Sequence, residues 1–145
     1  MILLETSVLA IAFGQKTRRR AEPKAVGDLR QMIADDWPLA MPGIVLQELL
    51  AGVSDEPQLQ RLQRMLATIP MVSATRENHV SAAKIAIACR QFGVQCSTVN
   101  CLIAAIAVDS ASLLFTLNRS FHKIAPRCGL RLYEAGMIAR MPKPN

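Results

Sequence analysis

Four short segments of this 145-residue chain each set one acidic or amide side chain beside an apolar block. They read Ile2-Leu3-Leu4-Glu5-Thr6-Ser7, Val45-Leu46-Gln47-Glu48-Leu49-Leu50, Ser97-Thr98-Val99-Asn100-Cys101-Leu102-Ile103-Ala104-Ala105 and Phe115-Thr116-Leu117-Asn118-Arg119-Ser120-Phe121. Brought together, Glu5, Glu48, Asn100 and Asn118 form a cluster of oxygen donors, the type a hard divalent cation requires. Such an ion generates hydroxide from water and steadies the leaving oxygen of a phosphodiester. That chemistry favours carboxylates at all four positions, and here two of the four are amides.

Only a fold can bring these positions together, and the apolar pattern indicates which. Ile2 to Leu4 reads as a brief strand, and Ser7 to Phe13 as a helix behind a Thr6 or Ser7 cap. Basic residues up to Arg20 form a loop, followed by a helix from about Pro23 to Ala34 with proline in its opening turn. Leu39 to Met41 is a second strand, and Pro42-Gly43 leads into a helix ending near Gly52. Leu59, Leu62 and Leu66 have helical spacing within Gln58 to Leu66. Ile69 to Val72 is strand-like, with Pro70 pointing to a sheet edge.

Arg76 to Phe92 is an Ala-rich helix closed by Gly93, and Ser97 or Thr98 caps another helix through about Val108. Leu113 to Thr116, Arg119 to Ile124 and Leu130 to Tyr133 read as strand, short helix and last strand. Strands separated by helices imply a single domain, residues 1–145, folded as an α/β sandwich with a mostly parallel sheet. In such sheets ligands sit beyond the carboxyl ends of the strands. Glu5 and Asn118 fall at two such ends, Asn100 in the first turn of a helix, and Glu48 on the helix after a strand.

Composition narrows the setting. Hydrophobic residues make up 51% and aromatics 4%, so the core is aliphatic. A net charge of +6 favours polyanions or an acidic protein partner without specifying a fold. Cys89, Cys96, Cys101 and Cys128 show neither a CxxC pair nor zinc-ligand spacing, and they read as reduced thiols of a cytoplasmic protein. Ala10-Ile11-Ala12 mimics a signal-peptidase site, but Glu5 interrupts the apolar stretch and no basic region precedes it. No apolar run approaches the roughly 18–20 residues that span a bilayer, so no membrane association is expected.

Each candidate also has a plainer reading. Glu5 fits a carboxylate favoured by a helix dipole, and Glu48 fits a solvent-facing stripe with Gln47, Ala51 and Ser54. Asn100, three residues after Ser97, fits a capping arrangement, and Asn118 fits the N-cap of the helix from Arg119. Lys16, Arg18, Arg19 and Arg20 fit either phosphate contacts or a solvated basic loop. Arg119 fits a phosphate contact, a partner for Glu48, or a surface residue at a helix start.

The joint pattern is more specific. MILLETSVL, PGIVLQELLAG, STVNCLIAAIAV and LLFTLNRSFHKIA, in this order, resemble the PIN-domain family, and within it the VapC-type toxins. The resemblance covers nearly the whole chain. It implies a three-layer α/β/α sandwich and a Mg²⁺- or Mn²⁺-dependent endoribonuclease acting on RNA. It also implies a small VapB-type antitoxin as partner and a homodimer. The family's metal-binding acids fall on Glu5, Glu48, Asn100 and Asn118, with Ser7 and Thr116 as supporting polar positions. Glu48 alone matches outright. Glu5 replaces an aspartate, Asn100 and Asn118 each lose a charge, and Ser120 stands where many relatives carry another acid. Weak or absent hydrolysis is the expected consequence, and the alternative function is a non-catalytic module that binds RNA or antitoxin.

Overall fold

A computed structural model of the chain describes residues 1–14 and 22–145. The basic run with Lys16, Arg18, Arg19 and Arg20 lies outside the described residues. The elements follow in order as β1 (Ile2–Leu4), α1 (Thr6–Phe13), α2 (Lys24–Ala34), β2 (Leu39–Pro42), α3 (Gly43–Ala51) and α4 (Glu56–Leu66). They continue with β3 (Met71–Val72), α5 (Arg76–Gln91), α6 (Thr98–Asp109), β4 (Leu113–Phe115), α7 (Ser120–Cys128) and β5 (Arg131–Leu132).

Among the described residues five strands pair in the order β3-β2-β1-β4-β5, and each of these pairings is parallel. The chain steps outward from β1 to β2 and β3, then returns across the sheet to β4 and steps outward to β5 on the other side. Parallel crossovers are right-handed, so reversing the direction of travel moves the helices to the opposite face. The packing agrees: α1 lies against α2 and α3, and α3 against α4, while α5, α6 and α7 pack on one another. This is the expected three-layer α/β/α sandwich. β1 sits at its centre with Leu3 and Leu4 fully buried, and α6 contributes Ile103, Ala104, Ala105 and Ile106 to the core.

Local chemistry corrects several expected boundaries. The cap of α1 is Glu5, not Thr6 or Ser7, because the Glu5 carboxylate reaches forward to the Ser7 N–H at 2.9 Å. β3 is confined to residues 71–72 at the sheet edge, since Pro70 has no N–H and offers only its carbonyl, to Met41 N at 2.9 Å. α4 begins earlier than its leucine spacing suggests, because Asp55 caps the Gln58 N–H at 2.9 Å. α7 runs past Ile124 through Pro126 to Cys128. It closes on Gly129, whose φ of 72° is left-handed, as a glycine after a helix permits. A 3-10 turn at Met137–Arg140 had no sequence signal.

Polar contacts fix the helices. Asn78 caps α5 with Thr75 and donates from Nδ2 to Asp109 Oδ2 at 2.7 Å, tying α5 to the end of α6. Tyr133 Oη donates to Asp28 Oδ2 at 2.9 Å, and burial pushes the Tyr133 hydroxyl up to about 12. No helix of the described residues is long and apolar enough to cross a membrane.

Candidate functional site

The sheet's direction of travel reverses between β1 and β4, which pair directly. Such a reversal leaves a crevice at the carboxyl ends of the two strands. Glu5 follows β1 there, and Thr116 follows β4. Glu5 N–H donates to the Phe115 carbonyl at 3.0 Å, which locks the two strand exits side by side.

Glu5 as a residue is 5% exposed, and its carboxylate is held by short, local chemistry. Its Oε2 accepts from Ser7 N at 2.9 Å, from Thr116 Oγ1 at 2.7 Å, and from the Ser7 hydroxyl. Ser7 Oγ in turn accepts the Leu117 N–H at 2.8 Å, and Thr116 Oγ1 accepts the Asn118 N–H at 2.9 Å. Ser7 and Thr116, expected as supporting positions, thus bridge β1's exit to the loop after β4. Charge-assisted donors of this kind are stronger than neutral ones, so Glu5 is fixed in place.

Glu48 projects from the second turn of α3 and is exposed. Its Oε1 accepts from Thr6 Oγ1 at 2.8 Å, so a residue adjacent to Glu5 holds it beside the crevice. The sequence reading gave Thr6 no such role. Its only signal was its place in a Glu-Thr-Ser run, and the partner lies 42 residues away. Arg119 is exposed and does not pair with Glu48; the ion pairs among the described residues are Arg30–Glu22 and Lys143–Asp35. That removes the Glu48 pairing and leaves the phosphate-contact and surface readings of Arg119 open.

The two amides differ. Asn118 Oδ1 accepts the Ser120 N–H at 3.0 Å, so its oxygen is engaged at the start of α7, although the N-cap position falls on Arg119 and not on Asn118 as the plainer reading expected. Asn100 lies in the first turn of α6, with its own N–H held by Ser97 Oγ at 3.0 Å. Among the described residues no hydrogen bond engages its side chain, which leaves its amide available. α6 leads into β4 through a short turn and runs antiparallel to it, so its first turn sits at the carboxyl end of the sheet. Fold topology thus places all four positions at one end, and hydrogen bonds join Glu5, Ser7, Thr116 and Asn118 directly.

As a cradle for a hard divalent ion this donor set does not fit well. Among the described residues no group of three or more His, Cys, Asp or Glu is placed to hold a metal. One Glu5 oxygen already receives three donors, and the Asn118 oxygen is committed to α7. Octahedral Mg²⁺ tolerates little departure from ideal oxygen geometry.

Comparison with known proteins places this architecture. A PIN-domain family model matches residues 2–126. The fold resembles FitAcB from Neisseria gonorrhoeae, with a TM-score of 0.72 and 16% identity over 93% of this chain and 98% of that one. It equally resembles VapBC2 from Rickettsia felis bound to a promoter DNA fragment, with a TM-score of 0.72 and 22% identity over 92% and 98%. VapBC-1 from nontypeable Haemophilus influenzae matches at a TM-score of 0.72 and 19% identity over 92% and 98%. At these identities the likeness concerns the fold, while the family model spans most of the sequence. By that match, and with a doubly wound sheet to accompany it, the chain belongs to the PIN-domain family.

Proposed function

We propose that this chain is a VapC-type toxin relative whose endoribonuclease centre is depleted, so that hydrolysis is weak or lost. The observation that carries this reading is the Glu5 cluster. A carboxylate stands at the β1/β4 reversal, held by Ser7 and Thr116, where a PIN domain needs its first acid. PIN domains are generally metal-dependent. In this chain Glu5, Glu48, Asn100 and Asn118 are the positions from which Mg²⁺ or Mn²⁺ would be held, and with two carboxylates among them the affinity is weak. A bound divalent ion would supply activated water; a lower negative charge around it holds the ion less firmly.

What the chain keeps is binding. The folds it resembles include VapBC complexes, which supports a VapB-type antitoxin as partner; a cytoplasmic homodimer is what the family resemblance implies. The net charge of +6 supports contact with RNA phosphates, with Lys16, Arg18, Arg19, Arg20 and Arg119 as the contributing cations. The second reading, a pseudo-nuclease that binds RNA or antitoxin without cutting, is favoured by the commitment of one Glu5 oxygen and the Asn118 oxygen to internal donors.

Ribonuclease assays in Mg²⁺ and Mn²⁺ test this, comparing the wild type with Asn100→Asp/Asn118→Asp. Both substitutions suit the fold, because an acid in a helix's first turn or just before it is favoured. A silent wild type beside a cutting double variant supports a depleted nuclease. A robust metal-dependent rate from the wild type overturns it.

A further inference from the structure

All four cysteines gather in one seam of the molecule, although the sequence spreads them over about forty residues of α5, α6, α7 and the loop between α5 and α6. Cys96 is at the centre of the seam. Its Sγ lies 3.1 Å from Cys101 Sγ. Cys89 and Cys101 are buried in helices, whereas Cys96 is half-buried in irregular backbone just before the Ser97 cap.

Two cavities reach Cys96, and Cys128 is the other half-buried thiol. Cys96 lines a cavity of about 500 Å³ with Arg90, Val94 and Gln95, and a second of about 350 Å³ that Cys101 and Arg90 also line. Arg90 is therefore present in both approaches and offers a cation to an acidic thiol compound. A disulfide needs its sulfurs about 2.05 Å apart, so the pair must approach by only about 1 Å. The irregular backbone at Cys96 can supply that shift while α6 holds Cys101 still.

We propose that Cys96 is a thiol-modification site for a small acidic disulfide of the glutathione type, with Cys101 as its resolving thiol. Cys96 gives up its proton and attacks one sulfur of glutathione disulfide. The glutathione S–S bond breaks, a Cys96–glutathione bond forms, and the departing thiolate takes up the proton. Cys101 then gives up its proton and attacks Cys96 Sγ, and the second glutathione leaves as a thiolate that takes up that proton. Two cysteine thiols are oxidised to one disulfide, and one glutathione disulfide is reduced to two glutathiones. The new bond staples the turn of α6 that carries Asn100.

The full-length reduced chain, incubated with glutathione disulfide, alkylated after unfolding and digested with trypsin, tests this by mass. Cys96 and Cys101 share the peptide between Arg90 and Arg119, whereas Cys89 and Cys128 fall in others. The expected result is loss of both alkylations from that peptide, reversed by dithiothreitol, with Cys89 and Cys128 still alkylated. Cys101→Ser is expected to retain glutathione on Cys96, and Cys96→Ser to take up none. A Cys96–Cys89 bond, glutathione on Cys128 with Cys96 unmodified, or four unreacted thiols in the wild type overturns the proposal. The wild-type mapping decides the matter even where a serine variant misfolds.

Discussion

Glu5 and Glu48 stand at the same end of the sheet, connected through Thr6, yet the fold treats them differently. Glu5 is 5% exposed and meets three donors that arrive from its own helix and from the strand exit after β4. Glu48 is exposed and meets one hydroxyl, from Thr6. The first carboxylate is a structural joint as well as a candidate ligand, because it fastens β1's exit to β4's. The second is free to turn toward whatever enters the crevice. One Glu5 oxygen is held by three donors, whereas Glu48 is exposed and held by one.

Substitutions can break this contrast in order of size. Glu5→Ala removes the acceptor for the Ser7 N–H and for two hydroxyls in a buried place, and should cost about 2–4 kcal/mol in urea unfolding. A cost near zero would mean that the donors find other partners and that Glu5 is no joint. Thr116→Val keeps the shape but strips the hydroxyl that serves both Glu5 and the Asn118 N–H. Its expected cost is about 1–2 kcal/mol, read from the same unfolding curves.

Glu48→Ala sharpens the comparison from the other side. Loss of one exposed contact should stay within about 0.5 kcal/mol, and a drop as large as that of Glu5→Ala would erase the distinction. Asn118→Asp should have the smallest effect, since an aspartate oxygen accepts the Ser120 N–H as well as the asparagine oxygen does. A melting temperature unchanged within error checks it.

The sequence made the frame of this site readable because strand ends and helix starts carry local signals. Glu5 follows an apolar triplet, and Asn100 follows a Ser97 cap whose geometry the structure reproduces at 3.0 Å. The parallel sheet followed from strands alternating with helices, and Pro70 marked an edge strand. Contacts set by tertiary packing were not readable. Nothing local joins Thr6 to Glu48, or Ser7 Oγ to the Leu117 N–H 110 residues later. Glu5 as the cap of α1 was missed because serine and threonine beside it are the commoner caps, and the carboxylate's second duty toward Thr116 is visible only once β1 and β4 pair. The cysteines were read correctly as free, but their gathering around Cys96 depends on how α5, α6 and α7 pack.

The central proposal is that Glu5, Glu48, Asn100 and Asn118 carry too little charge to hold a divalent ion. Calorimetric titration of Mn²⁺ into the wild type and into Asn100→Asp/Asn118→Asp tests it most directly. The account predicts saturable binding to the double variant and none to the wild type over the same concentrations. Equal, saturable binding by both chains would contradict it, and would mean that Glu5 and Glu48 with two amides suffice.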